Sequence, residues 1–169
     1  MVGFPYTSYV GEAGVKRVSS RWRGEHPMKI LILAGLVSYD KAALAEDMAR
    51  RLAATGQSVT LIDNSEYTAV SAVNGVTVIR VEKSTGAAAA TAGTHSDVIL
   101  ITASEALSPD GLLALQDEVQ TVHPAAVVRQ IALVDDRTCD CFPHLREAFD
   151  AQADLVLHAP FDLEKALAL

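Results

Sequence analysis

The stretch from Met28 to Asp63, MKILILAGLVSYDKAALAEDMARRLAATGQSVTLID, limits the folds open to this chain more than any other. The uninterrupted aliphatic run from Lys29 to Ala34 predicts a strand buried on both faces, as parallel strands are. From about Lys41 to Ala54 the sequence is Ala-rich and places Leu44, Met48, Arg51 and Leu52 at helical spacing. Gly56 follows at the position where a left-handed residue closes a helix. Ser58 to Asp63 is then a second buried strand that ends in an acid.

The rest of the chain continues the alternation. Val76 to Val81 predicts a third strand, and STGAAAATAG after it reads as either a short helix or a loop. Asp97 to Thr102 is a fourth strand, and the helix from about Ser108 to Val122 has Ser108 as N-cap, Pro109 in its first turn and Asp110 beside it. Val127 to Val134, a helix over Phe142 to Phe149, a short strand at Leu155 to Leu157 and a terminal helix from Asp162 to Leu167 complete the pattern. Strands alternating with helices imply an α/β fold with a parallel sheet covered on both sides. With 169 residues the chain suits one domain, and residues 28 to 169 hold it. Half the residues are apolar but only 5% are aromatic, so the core is expected to consist of Ala, Val, Leu and Ile.

Residues 1 to 27 show no sustained period and no apolar stretch of secretory type, and are expected to form a flexible extension. Met28 directly precedes the first strand, which makes it a candidate native start. Lys16, Arg17, Arg21 and Arg23 against Glu12 and Glu25 leave residues 1 to 28 at +2; with −7 for the whole chain, the remainder carries −9. An acidic body argues against a surface that grips nucleic acid throughout, so contact with nucleic acid falls to the basic N-terminal segment around Trp22. No run approaches the roughly 20 apolar residues that cross a bilayer, so no membrane partner is expected. Two cysteines one residue apart, Cys139 and Cys141, form no disulfide framework and fit a reducing cytoplasm.

Over residues 28 to 169 the motifs resemble those of the ParA/MinD group of deviant P-loop ATPases. LVSYDKAA stands where that family has KGGVGKTT, LAEDMARRLAATG is similar to its following helix, and SVTLID is similar to the strand ending LID. DVILITASEALSPDGLLAL, LVDDRT and HAPFDLEKALA resemble later family segments in the same order. The resemblance implies a P-loop NTPase sheet and a setting in DNA partition or positioning. It also implies that Lys41 matches the phosphate-binding lysine, that Asp40 replaces the glycine before it, and that Val37 and Ser38 replace the paired glycines. Leu36 replaces the additional lysine, and Ala42 and Ala43 replace the hydroxyl residues, one of which would hold Mg²⁺.

These replacements bear on chemistry. Glycines let consecutive backbone N–H groups turn inward and surround phosphate at a helix N-terminus, a path that Val37 and Tyr39 suit poorly. A carboxylate at Asp40 would repel an incoming phosphate by roughly 4 kcal/mol at about 4 Å and an effective dielectric near 20. Asp is also a strong N-cap, so Asp40 is expected to act as an internal substitute for phosphate at the helix start.

Asp63 is the candidate catalytic acid, or else a strand-end cap. The family's next acid, after the third strand, has no clean match: the register offers Arg80 or Val81, with Glu82 late. The connection between the second and third strands is also shorter than in ParA relatives. Arg137 and Thr138 lie where the resemblance places the border of the base, against a plain turn stabilised by Asp135 and Asp136. Cys139, Cys141 and His144 make C-x-C-x-x-H, three soft ligands without the fourth that zinc requires, so no metal is expected. Leu36 and Tyr39, if exposed, would form a partner contact.

The expectation is thus a degenerate, non-hydrolysing ParA/MinD-like binding or regulatory module, leaning away from an enzyme and needing no cofactor. Gly35, Asp40, Lys41, Ala42, Ala43 and Arg137 would form its vestigial nucleotide site. Its partner would be a ParA-type ATPase, a ParB-type adaptor or a second copy. The alternative is a weak ATPase that binds ATP and Mg²⁺ through Lys41 and Asp63.

Overall fold

The computed structural model describes residues 26–81 and 86–169, so nearly all of the N-terminal extension, and Glu82, lie outside the described residues. The strands are β1 (Lys29–Ala34), β2 (Val59–Asp63), β3 (Thr77–Arg80), β4 (Val98–Thr102), β5 (Val127–Val134) and β6 (Leu155–His158). The helices are α1 (Ser38–Ala54), α2 (Ala87–Thr91), α3 (Pro109–Val122), α4 (Asp136–Cys141), α5 (Pro143–Gln152) and α6 (Leu163–Leu167). The strands form one sheet in the order β3-β2-β4-β1-β5-β6, and every pairing is parallel.

β1 lies between β4 and β5, with Ile30 beside Ile99 and Val128. Its side chains alternate between two cores, which is why its sequence is aliphatic without interruption. Ile30 and Ile32 enter a layer with Ile99, Ile101, Leu112, Leu115 and Phe149, which lies beneath α3 and α5. Leu31 and Leu33 enter the opposite layer with Leu44, Met48, Leu100 and Leu157, which lies beneath α1 and α6. Among the described residues Phe149 is the one aromatic with a fully buried side chain, so the core is aliphatic, as the composition implies.

Most element boundaries fall within a residue or two of the pattern. Ser108 caps α3 by accepting from Gly111 N at 3.1 Å, and Gly56 takes φ +88° just past α1. The Ala-rich segment after β3 forms the short helix α2. Two regions differ. α4 was not expected as a helix; it forms because Asp135 accepts from the Thr138 backbone N–H at 2.7 Å and so caps a turn that then continues. α1 begins at Ser38, three residues ahead of the expected start, and this reshapes the loop before it.

Candidate functional site

In open parallel sheets ligands bind outside the carboxyl ends of the strands. Here the loops after β1, β2 and β4 meet at that edge, around Lys41, Asp63 and Glu105.

Gly35 ends β1 with φ +132°, and a Cβ there would lie 2.3 Å from the Leu133 carbonyl oxygen. Only glycine lets the chain pass β5 so closely. Beyond it the backbone winds at once into helix. Val37 holds the N-cap position without a side-chain cap, and Lys41 N–H donates to the Val37 carbonyl at 2.9 Å. This corrects the expectation for Asp40, which lies in the first helical turn, is exposed, and caps nothing. An N-cap has non-helical backbone; with no glycine to hold the loop open, residues 38 to 40 join the helix, and position 40 is one turn too far along.

Lys41 turns inward and is 0% exposed. Its Nζ donates to the Gly35 carbonyl at 3.0 Å and the Ala103 carbonyl at 2.7 Å, and lies 2.9 Å from Glu105 Oε1. Two of the ammonium's three donors thus go to carbonyls, and the Glu105 carboxylate lies against it as an ion pair. The Glu105 side chain is 2% exposed, and its other oxygen accepts from Glu66 N–H at 2.7 Å. Burial pushes the Lys41 ammonium below the ordinary lysine value, although the neighbouring Glu105 and Asp63 carboxylates oppose it. Burial would raise Glu105, but the Glu66 N–H, Lys41 and the Ser38 hydroxyl outweigh it and hold the carboxyl below its usual range.

Asp63 is equally enclosed. One oxygen accepts from Ser65 N–H at 3.1 Å and the Thr102 hydroxyl at 2.8 Å. The other accepts from Val70 N–H at 2.8 Å and Arg80 Nη1 at 2.5 Å. Burial acts to raise this carboxyl, yet the Val70, Thr102, Ser65 and Arg80 donors together lower it. Asp63 therefore both ends its strand and organises the connection to β3.

Further bonds tie the three loops together. Ser104 Oγ donates to Glu66 Oε1 at 2.7 Å, Thr68 N–H donates to Ser38 Oγ at 3.0 Å, and Arg80 Nη2 donates to the Ser65 carbonyl at 2.8 Å. In a P-loop the lysine meets phosphate oxygens and a following hydroxyl meets Mg²⁺. In this chain the lysine meets a carboxylate, Gly35 presents a carbonyl to it, and Ala42 and Ala43 offer no hydroxyl.

The sequence reading missed Glu105, Arg80 and Thr102 as members of this cluster. Arg80 carried a usable signal: β2 and β3 pair with Asp63 opposite Arg80, so two strand ends of opposite charge coincide. Glu105 had none, because its approach to Lys41 depends on β4 lying next to β1.

Elsewhere, Arg137 is exposed on α4, and Thr138 is buried with its hydroxyl on Asp135 Oδ1. The Thr138 hydroxyl and N–H hold the Asp135 carboxyl below its usual range. The three residues of C-x-C-x-x-H do not converge: His144 faces Glu147 at 3.8 Å, whereas the imidazole beside Cys139 is that of His158. Among the described residues no group of three or more His, Cys, Asp and Glu could hold a metal ion. Leu36 and Tyr39 are 39% and 75% exposed, and Tyr67, on the loop tied to Ser38 through Thr68, is 81% exposed. No helix of the described residues is long and apolar enough to cross a membrane.

No protein family description matches the sequence, and no curated protein does. Solved structures match the fold. FtsY from Mycoplasma mycoides superposes with a TM-score of 0.58 at 19% identity, over 79% of this chain and 52% of that one. The signal recognition particle receptor FtsY from Elizabethkingia anophelis, in complex with GDP, gives 0.55 at 15% identity, over 78% and 48%. Chloroplast FtsY from Physcomitrella patens gives 0.54 at 13% identity, over 90% and 53%. The chain spans about half the length of these structures. Its six-stranded parallel sheet with flanking helices is the α/β fold of P-loop NTPases.

Proposed function

We propose that this protein uses the P-loop NTPase fold as a non-hydrolysing scaffold and acts as a protein-binding or regulatory module. The observation that carries the reading is the Lys41–Glu105 ion pair. The lysine that would meet phosphate is buried, donates to two carbonyls and is paired with the Glu105 carboxylate, so its charge is matched from within the chain. Nucleotide would have to displace a buried carboxylate and reopen a helical turn, and no hydroxyl follows Lys41 to hold Mg²⁺. The setting in DNA partition or positioning, with a ParA-type ATPase, a ParB-type adaptor or a second copy as partner, rests on the motif resemblance. The contact surface on this reading is the rim formed by Leu36, Tyr39 and Tyr67.

Calorimetric titration of the full chain with ATP, ADP, GTP and GDP, each with Mg²⁺, tests the proposal. No saturable heat is expected up to about 1 mM ligand, a binding free energy weaker than roughly −4 kcal/mol. Saturable binding in the micromolar range that Lys41→Ala abolishes would instead establish the weak ATPase reading.

A further inference from the structure

A second polar cluster lies at the same edge of the sheet, off the ends of β5 and β6, and the proposed function does not use it. Cys139 sits on α4, half-buried against the apolar layer that contains Phe149. Its Sγ accepts from Arg146 Nη1 at 3.5 Å and lies 3.9 Å from His158 Nε2. The same imidazole nitrogen lies 3.3 Å from Asp136 Oδ1, and His158 Nδ1 lies 3.2 Å from the Ala159 carbonyl. Arg146 is held in place through Nε, which donates to both Asp150 oxygens at 3.0 Å. Three separate elements, α4, α5 and the end of β6, therefore bring a thiol, a guanidinium and an imidazole together.

The thiolate is the nucleophilic form of cysteine, and neighbouring positive charge favours it. Arginine keeps its charge at any ordinary pH, and histidine accepts a proton near neutrality. We propose that Cys139 is a reactive thiol that hydrogen peroxide oxidises to a sulfenic acid. His158 accepts the thiol proton, and Arg146 holds the negative charge that remains on sulfur. The sulfur then attacks one peroxide oxygen, forming the S–O bond as the O–O bond breaks. Sulfur loses two electrons, and the peroxide is reduced to hydroxide, which takes the proton back from His158 and leaves as water.

The chain carries its own control. Cys141 is two residues away and more exposed, and among the described residues it has neither an arginine nor a histidine recorded at its sulfur. If exposure governed reactivity, Cys141 would react faster; if the cluster governs it, Cys139 would.

The test uses the full-length chain as Cys141→Ser and Cys139→Ser, so that each thiol is read alone. Iodoacetamide alkylation at pH 7 and dimedone trapping after hydrogen peroxide are followed by intact mass. Cys139 is expected to react about tenfold faster than Cys141 in both assays. In the Cys141→Ser background, Arg146→Met and His158→Gln should bring Cys139 down to the Cys141 rate, while Arg146→Lys retains part of the advantage. A Cys139 rate equal to or below that of Cys141 overturns the proposal. So does a fast Cys139 that is indifferent to all three substitutions. The first comparison leaves the cluster intact and so does not depend on the folding of the Arg146 and His158 variants.

Discussion

The two halves of the carboxyl edge use charge in opposite ways. Around β1, β2 and β4, Lys41 and Asp63 are 0% and 1% exposed, and each has its carboxylate or cationic partner against it. Off β5 and β6, Asp136 is 93% and His158 45% exposed, and Arg146 divides its donors between a carboxylate and a sulfur. A buried charge is costly unless it is paired and hydrogen-bonded, so the first half depends on its ion pairs and backbone donors. The second half is solvated, so its charges do not depend on a buried partner. One edge thus carries a sealed site and a reactive one.

Breaking the sealed half should produce the largest effect. Lys41→Met or Glu105→Leu alone leaves one buried charge uncompensated and should cost about 3–5 kcal/mol. The double variant Lys41→Met/Glu105→Leu should recover part of that loss, since neither charge is left unpaired, although the Gly35 and Ala103 carbonyls and the Glu66 N–H lose their partners. Urea unfolding of the four proteins measures the coupling; additive losses in the double variant would show that the pair is not a unit.

Acid should act next in size, and on the same half. Asp63 and Glu105 are both held below the usual carboxylate range, so their contribution is present above about pH 5 and is lost as pH falls through their folded values. Stability is therefore expected to decline as pH falls below about 5. Asp63→Asn should flatten the decline in chemical unfolding measured across that range, and an unchanged slope would count against the enclosed carboxylate.

The smallest effect distinguishes the present geometry from the one the sequence suggests. Asp40→Ala gives up a favourable interaction with the α1 dipole but gains helix propensity, for a net change within about 0.5 kcal/mol. A loss above about 1 kcal/mol in thermal or urea unfolding would restore Asp40 as a cap.

Legibility differed between fold and site for a physical reason. β1, β5 and α3 could be read almost to the residue because burial on two faces, 3.6-residue spacing and the Ser108-Pro109 start are local signals. The lack of glycines at positions 36 to 40 and of hydroxyls at 42 and 43 was also a local reading. The partner of Lys41 was not legible. Sequence logic assigned the substitute anion to Asp40, next to the lysine in the chain, but the structure places Glu105 there, 64 residues away.

The sequence by itself determined the alternating α/β architecture, the aliphatic core and the glycine-poor loop after β1, because each depends on neighbours along the chain. Tertiary structure alone decided which charges meet. Placing β4 between β1 and β2 brings Glu105 to Lys41 and Thr102 to Asp63, and ending β6 beside α4 brings His158 to Cys139. Strand order is a property of the whole sheet, and in this protein it fixes the partners of the charges at the sheet's edge.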